Sequence, residues 1–258
     1  MIHLKSDREI ERIRSSCRIA AETMACVMEY VKPGVTTGEL DRIADRFIRR
    51  QGATSSAKGY QTAGRPPYPG AICISVNDEV VHGIPGPRVL QSGDILAIDI
   101  AVRKKGYHGD MNVTMAAGQP GPDAARLMHT TKQAMELGLL ASVSGNRLGD
   151  IGHAIQGYVE AEGFAIVREY CGHGIGRSFH EEPQILHYGR PGTDRRLQSG
   201  MVFTVEPMVN QGSAAVRELD DGWTAVTADG RLSAQFEHTL VVTDEGPQVL
   251  SRFDDLPF

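Results

Sequence analysis

No apolar run in the 258 residues approaches the 18 needed to cross a bilayer as a helix, which excludes a helical membrane span. The first residues, Met1-Ile2-His3-Leu4-Lys5-Ser6, lack the apolar stretch of a signal peptide. Basic excess is absent too. Lys and Arg number 27 against 32 Asp and Glu, a formal charge of −5, which gives no electrostatic case for nucleic acid or anionic lipid. The four cysteines, Cys17, Cys26, Cys73 and Cys171, form no C-x-x-C pair, and a disulfide framework is not read from them. A reduced, cytoplasmic setting fits. What is present is ordinary globular composition: 41% hydrophobic and 23% charged residues, with enough chain to bury a sizeable core.

Helices alternate with strands. Ser6-Asp7-Arg8-Glu9 reads as a capping box. Behind it Ile10, Ile13, Cys17, Ala20, Met24, Val27 and Val31 recur at helical spacing until Lys32-Pro33-Gly34. Thr36-Thr37-Gly38-Glu39 caps a second helix that ends at Gly52. Residues 53–71 read as loop. The pattern then predicts strands at 71–76, 95–102 and 107–115, a third helix from Pro120-Gly121-Pro122 to about Ser142, and a fourth from about Leu148 to Glu162. The remainder reads as strand and turn.

The halves resemble one another. Gly34, Gly38, Glu39, Leu40, Phe47, Ile48 and Gly52 match Gly145, Gly149, Asp150, Ile151, Tyr158, Val159 and Gly163, every pair 111 apart. Leu90-Gln91-Ser92-Gly93 matches Leu197-Gln198-Ser199-Gly200 at an offset of 107, and six residues beyond each glycine stands an acid, Asp99 or Glu206. Two readings are open: amphipathic helices that look alike by chance, or a pseudo-two-fold fold in which Asp99 and Glu206 are equivalent.

The acids carry the chemical signal. Asp99 lies in Ile95-Leu96-Ala97-Ile98-Asp99-Ile100-Ala101-Val102, apolar on both faces, where an ionised carboxylate is costly unless paired or bound to a metal. If Lys104-Lys105 is the turn of the following hairpin, opposed residues sum to 209 and Asp99 faces Asp110. If Lys105-Gly106 is the turn, the sum is 211 and Asp110 lies two residues off on the same face. Two solvated hairpin acids are the bland alternative; the apolar neighbours of Asp99 argue against it. Glu206, before Pro207, and Glu237 lie in similarly apolar runs, and either alone reads as a satisfied structural acid. With His173 of Gly172-His173-Gly174 the set becomes two Asp, two Glu and one His, donors that suit Mn²⁺, Fe²⁺ or Co²⁺ better than thiolate-seeking ions. Two divalent ions would balance four carboxylates and permit a bridging hydroxide as nucleophile, the ions about 3.5–4 Å apart.

These residues resemble the type I methionine aminopeptidases of the pita-bread (creatinase-like) fold. The resemblance rests on Cys73-Ile74-Ser75-Val76-Asn77, Val81-His82-Gly83-Ile84-Pro85, Ile98-Asp99-Ile100, His108-Gly109-Asp110, Gly172-His173-Gly174-Ile175-Gly176, Phe179-His180-Glu181-Glu182-Pro183, Val205-Glu206-Pro207-Met208 and Ser233-Ala234-Gln235-Phe236-Glu237-His238-Thr239, and spans nearly the whole chain. It implies an α+β fold: one catalytic domain, 1–258, of two pseudo-two-fold-related halves, about 1–118 and 119–258, around a curved antiparallel sheet. It implies Asp99, Asp110, His173, Glu206 and Glu237 as ligands of two divalent ions, Co, Mn or Fe(II), with Zn or Ni as further options, and a monovalent cation near Asn77 and Ser233. It implies Glu206 as proton shuttle, His180 at the scissile carbonyl, His82 near the scissile nitrogen, and Cys73, Tyr68, Phe179 and Trp223 as the methionine pocket.

The implied reaction removes the initiator methionine from nascent polypeptides whose second residue is small. It would take place in the cytoplasm, at the ribosome, by a monomer. The separation of 26 from His180 to Glu206 leaves no room for the type II insertion, and the stretch before Ser6 none for the zinc-binding extension of eukaryotic members, which points to the short bacterial form. One departure stands out. Many members read G-Y-x-x-Y-P before the cysteine motif, whereas here Arg65-Pro66-Pro67 lengthens the stretch between Gly59-Tyr60 and Tyr68-Pro69, a departure at the rim of the implied substrate cleft. Two other functions fit parts of the pattern: a proline-specific (Xaa-Pro) peptidase of the same fold, which usually carries a large N-terminal domain, and a non-enzymatic pita-bread binding protein, which typically loses ligands.

Overall fold

The computed structural model describes residues 2–256, so residues 1, 257 and 258 at the ends of the expected domain lie outside the described residues. Four helices form: α1 Asp7–Met28, α2 Thr37–Arg50, α3 Pro122–Ala141 and α4 Leu148–Ala161. Their starts follow from local chemistry. At α1 the Glu9 carboxylate accepts from both the Ser6 amide and hydroxyl, at 3.1 and 2.9 Å. At α2 Glu39 accepts from the Thr36 amide at 2.8 Å while the Glu39 amide donates to the Thr36 hydroxyl at 3.2 Å. At α4 the Arg147 amide donates to Asp150 at 2.7 Å. Helix α1 stops before the expected Val31, because the amides of Tyr30 and Val31 bond three residues back, to Val27 and Met28, and tighten the last turn.

The main sheet holds eight antiparallel strands: β1 Cys73–Val76, β2 Ile95–Asp99, β3 Met111–Ala116, β4 Gly172–Gly174, β5 Glu181–Ile185, β6 Val202–Val205, β7 Glu237–Thr243 and β8 Gly246–Val249. Their order is β5-β4-β6-β7-β3-β2-β1, with β8 beside β7. Three small sheets of three short strands each surround it. A single large cluster of buried apolar side chains, including Met24, Leu40, Ile48, Leu96, Ile98, Ile151, Ile155, Phe203 and Leu240, binds helices to sheet.

The expected strand 95–102 is two strands in different sheets, Ile95–Asp99 and Val102–Lys104, because the Ala101 carbonyl turns to accept from the Ser56 amide at 2.9 Å. The strand expected at 107–115 is likewise interrupted at Asp110. The hairpin register is the second of the two alternatives. Val102 pairs with Gly109 and Lys104 with Tyr107, sums of 211, around Lys105-Gly106 with φ of 49° and 83°, a turn with both central residues left-handed. The same sum continues into β2–β3, so Asp99 faces Asn112, and Asp110 lies two positions away.

The helix-entry hydrogen bonds recur at the offsets seen in the sequence. Gly34 N bonds Leu90 O and Gly145 N bonds Leu197 O; Gly38 N bonds Gly86 O and Gly149 N bonds Thr193 O. The isolated bridges Thr36–Val89 and Arg147–Arg196 obey the same shifts of 111 and 107.

Candidate metal centre and substrate cleft

Register places the key side chains in a transverse row. Cys73 pairs with Asp99, Asp99 with Asn112, and Asn112 with Glu237. The β6–β7 pairs sum to 443, as in Val205 with His238; 206 + 237 is also 443, which sets Glu206, one residue past β6, opposite Glu237. Side chains paired across neighbouring strands point to one face, so the row gathers Asp99, Glu237 and Glu206 on that face.

His173 comes from β4. Its flanking glycines let β4 sit tight between β5 and β6: a Cβ at Gly172 would lie 2.4 Å from the Thr204 carbonyl oxygen, and one at Gly174 2.2 Å from that of Glu182. The glycines thus admit the close approach of neighbouring backbone on both sides of His173. His173 Nε2 stands 3.8 Å from Asp110 Oδ2 and 3.7 Å from Glu206 Oε1. Asp110, His173 and Glu237 each offer one ligand atom, all within 4.8 Å of one another. Asp99 adjoins the group through Asp110 and Asn112.

The electrostatics are those of crowded, desolvated acids. Burial, reinforced by the charges of Asp99 and Glu206, holds Asp110 well above the usual carboxyl range. Glu237 is raised likewise by burial and by Asp110, Glu206 and Asp99. Burial lifts Glu206 to about 8 and Asp99 to about 6. His173 is pushed down to about 3, chiefly by burial, leaving a neutral imidazole able to ligate.

Asp110 Oδ1 and both carboxylate oxygens of Glu237 are buried without a hydrogen-bond partner among the described residues. Such atoms are expensive in a folded protein. An oxygen-rich set with one imidazole is the donor chemistry of a divalent ion, so the residues present fit one.

A cleft of about 700 Å³ opens onto this cluster. Asp99, Asp110, His173, Glu206, His82, His180, Cys73, Tyr68, Phe179 and Trp223 all reach it, while Glu237, 1% exposed, lies behind it. Cys73, Tyr68 and Trp223 form a compact apolar cluster with Ala57, flanked by Tyr60 and Ile84. Phe179 stacks on His180 with ring centroids 4.2 Å apart. His82 has φ of 59°, uncommon for a residue with a side chain; its ring meets Tyr170 and Trp223 edge to face, and its buried Nδ1 has no hydrogen-bond partner among the described residues. Burial holds both His82 and His180 near 4, neutral at pH 7.

Several supporting residues escaped the sequence reading. Thr204 donates to Glu206 Oε1 at 2.6 Å and Gln235 to Oε2 at 3.2 Å. The amide of Glu206 donates to Nε2 of the fully buried His187 at 3.1 Å. Asn112 donates to Gln235 at 2.9 Å, and the Tyr60 hydroxyl sits 2.7 Å from His180 Nδ1. The usable signal was period two for Thr204, which stands two residues before Glu206 and so on the same side of the chain. Asn77 and Ser233 also meet, the Ser233 amide donating to the Asn77 carbonyl at 2.8 Å.

A buried acid–histidine cluster under an aromatic-walled cleft, set on a curved antiparallel sheet, is the layout of a metal-dependent hydrolase. Residues 11–244 match metallopeptidase family M24. The chain is 49% identical over 252 residues to methionine aminopeptidase 1 of Bacillus subtilis (strain 168), covering 98% of this chain and 100% of that one. It is 49% identical over 257 residues to the methionine aminopeptidase of Escherichia coli (strain K12), with 98% and 96% covered. The crystal structure of methionine aminopeptidase from Rickettsia prowazekii superposes with a TM-score of 0.94 at 41% identity, covering 98% of this chain and 100% of that one.

The chain therefore belongs to family M24 and, within it, to the bacterial methionine aminopeptidases. It is an enzyme, a metallo-aminopeptidase of the pita-bread α+β fold that uses divalent metal. No helix among the described residues is long and apolar enough to cross a membrane.

Proposed function

We propose that the enzyme removes the N-terminal methionine from polypeptides with a small second residue, using two divalent ions held by Asp99, Asp110, His173, Glu206 and Glu237. The observation that carries this is the set of three unpartnered carboxylate oxygens on Asp110 and Glu237 beside His173, at the floor of an aromatic cleft. Bound there, divalent ions would supply Lewis-acid polarisation of the scissile carbonyl and an activated water.

The chain's own residues do the rest. Glu206, gripped by Thr204, Gln235 and the His187 contact to its amide, is the group that takes up a proton and delivers it to the leaving amine. A neutral His180, with Tyr60 on Nδ1, donates to the carbonyl oxygen as negative charge develops. His82 contacts the scissile nitrogen. Cys73, Tyr68, Phe179 and Trp223 form the slot for the unbranched thioether.

Within the same proposal, the ions are Co, Mn or Fe(II), with Zn or Ni as further options. The chain acts as one catalytic domain with halves of about 1–118 and 119–258, as a cytoplasmic monomer working on nascent chains at the ribosome, without nucleic-acid specificity or a membrane. A monovalent cation beside Asn77 and Ser233 completes the proposal. There the Asn77 side chain is already engaged, donating to Asp94 at 2.8 Å and accepting from the Ile95 amide at 3.0 Å.

The test is methionine release from Met-Ala-Ser by chelator-stripped and metal-reloaded protein, with metal counted by elemental analysis. Activity absent after stripping and restored in step with two ions per chain is expected. Full-rate hydrolysis by protein shown to be metal-free would sink the proposal.

A further inference from the structure

The two walls of the cleft's apolar end belong to separate segments. Tyr60 and Tyr68 stand at the neck of an excursion, residues 61–67, closed by hydrogen bonds from Gly59 N to Tyr68 O and from Tyr68 N to Tyr60 O, both 2.8 Å. Trp223 stands at the tip of the hairpin formed by strands Val216–Glu218 and Ala225–Thr227. There the Asp221 carboxylate accepts from the Trp223 and Thr224 amides, each at 2.8 Å. The excursion ties these walls together. The Arg65 guanidinium is ion-paired with Glu218 of that hairpin and lies 5.3 Å from the centre of the Trp223 ring. The Trp223 indole N–H donates to the Pro66 carbonyl at 2.9 Å. The Tyr170 hydroxyl reaches the same Glu218 carboxylate at 3.3 Å. On the inner side Trp223 meets Tyr68 edge to face, with centroids 5.4 Å apart.

We propose that residues 61–67 form a strap, latched by Arg65 on Glu218 and Trp223, that fixes the width of the methionine slot and so acts as a specificity determinant at the cleft rim. The inference rests on the reading of Cys73, Tyr68, Phe179 and Trp223 as that slot. A hairpin tip held by few contacts opens easily. The strap adds a charged pair, a cation over the indole face and an indole hydrogen bond at this tip. Held in place, Trp223 leaves a slot of fixed width for an unbranched side chain; released, it would let the wall yield to a branched one. Discrimination by apolar shape depends on a wall that does not give.

The chain has a single tryptophan, so its fluorescence reports on Trp223 alone. The experiment compares the metal-loaded native enzyme with Arg65→Ala, Glu218→Gln and the exchange Arg65→Glu with Glu218→Arg. It reads emission maximum, acrylamide quenching, and kcat/KM on Met-Ala-Ser and Leu-Ala-Ser. Both single variants should shift the emission to the red, quench more readily, and lower the Met-to-Leu ratio of kcat/KM by about threefold to tenfold. The exchange, which restores the ion pair but not the cation over the ring, should recover part of that ratio. A ratio within about twofold of native in Arg65→Ala overturns the proposal, whether or not the emission moves. The underlying reading is checked separately on the native enzyme: if free methionine leaves Trp223 emission unchanged and Met-Ala-Ser is not preferred over Leu-Ala-Ser, the slot itself is misassigned and the strap inference falls with it.

Discussion

The Tyr60 hydroxyl lies 2.7 Å from Nδ1 of His180, joining the neck of the 61–67 excursion to the histidine above the acid cluster. Burial keeps the His180 ring neutral at pH 7, so when Tyr60 donates to Nδ1 the ring's own proton sits on Nε2. That tautomer is the one able to donate to a developing oxyanion. His180→Ala should lower kcat by about 10²–10³, the loss typical of one oxyanion donor, with metal content unchanged. Tyr60→Phe should lower kcat by roughly threefold to tenfold, because the ring survives but its tautomer is no longer fixed. Loss of a metal ion from His180→Ala, with turnover per remaining ion intact, would make His180 a ligand instead.

Asp110→Asn should separate stability from activity. In metal-free protein Asp110 is buried against Asp99, Glu206 and Glu237, and burial and like charge both oppose its ionisation. An amide of the same shape is neutral without taking up a proton and so escapes that cost; the stripped variant should be more stable than stripped native protein by about 1–3 kcal/mol and melt at a higher temperature. It should also bind less metal and lose activity. Calorimetry on the stripped proteins and elemental analysis after reloading check both halves; a stripped Asp110→Asn that melts below native would show that burying Asp110 carries no such cost.

The same acids set a pH trend. Glu206, raised to about 8, keeps its proton in the folded chain well above the pH at which the unfolded chain releases it. Its contribution is present below the unfolded value and lost as pH rises through about 8. Asp110 and Glu237 act in the same direction. The buried histidines His173, His187 and His238, depressed to about 3, act the other way, but only below the ordinary histidine value. Between about pH 6.5 and 8 the acids alone remain, so stripped protein should lose stability as pH rises across that window. Metal-loaded protein should not, since bound cations favour the ionised carboxylates. Urea midpoints of both forms at pH 6.5, 7.5 and 8.5 test this; a stripped-protein midpoint flat or rising with pH would contradict the burial argument.

Local chemistry made the helices and the five ligand candidates legible. Glu9, Glu39 and Asp150 sit three residues past Ser6, Thr36 and Arg147, and each accepts a hydrogen bond from that residue's amide. Asp99 and Glu237 stood out because their strands are apolar on both sides. The hairpin register stayed open between sums of 209 and 211, because Lys104-Lys105 and Lys105-Gly106 both read as two-residue turns. The left-handed φ of Lys105 and Gly106 decides it. Contacts made by distant pairing were out of reach. Gln235 meets Glu206 because the strand Ser233–Gln235 pairs with Met208–Asn210, and no spacing announces that. The 61–67 excursion was visible as an extra length of chain, but its grip on Glu218 and Trp223 depends on a hairpin more than 150 residues away.

Specificity is the outcome most directly set by the cleft. Tyr68 is 3% exposed, Trp223 4% and Cys73 8%, so the slot proposed from them has closely packed walls. An unbranched thioether enters such a slot in an extended rotamer, and sulfur–aromatic contacts add roughly 0.3–1.5 kcal/mol. A leucine branches one carbon too early to follow that path. Shape alone discriminates by about 10–200-fold per methylene-sized difference, so Leu-Ala-Ser should be cleaved slowly and not at zero rate. His82 and His180 both line the cleft; placed beside the scissile bond, as proposed, they should favour Ala, Gly or Ser in second position over larger residues. If the free amine is anchored at the acid cluster, as the proposed function has it, acetyl-Met-Ala-Ser should not be cleaved. The measurement is kcat/KM on Met-Ala-Ser, Leu-Ala-Ser, Met-Leu-Ser, acetyl-Met-Ala-Ser and Ala-Pro with metal-loaded enzyme. Met-Ala-Ser should lead each of the others by at least about tenfold; faster turnover of Ala-Pro would show that the slot is built for the residue after the scissile bond and not for the methionine before it.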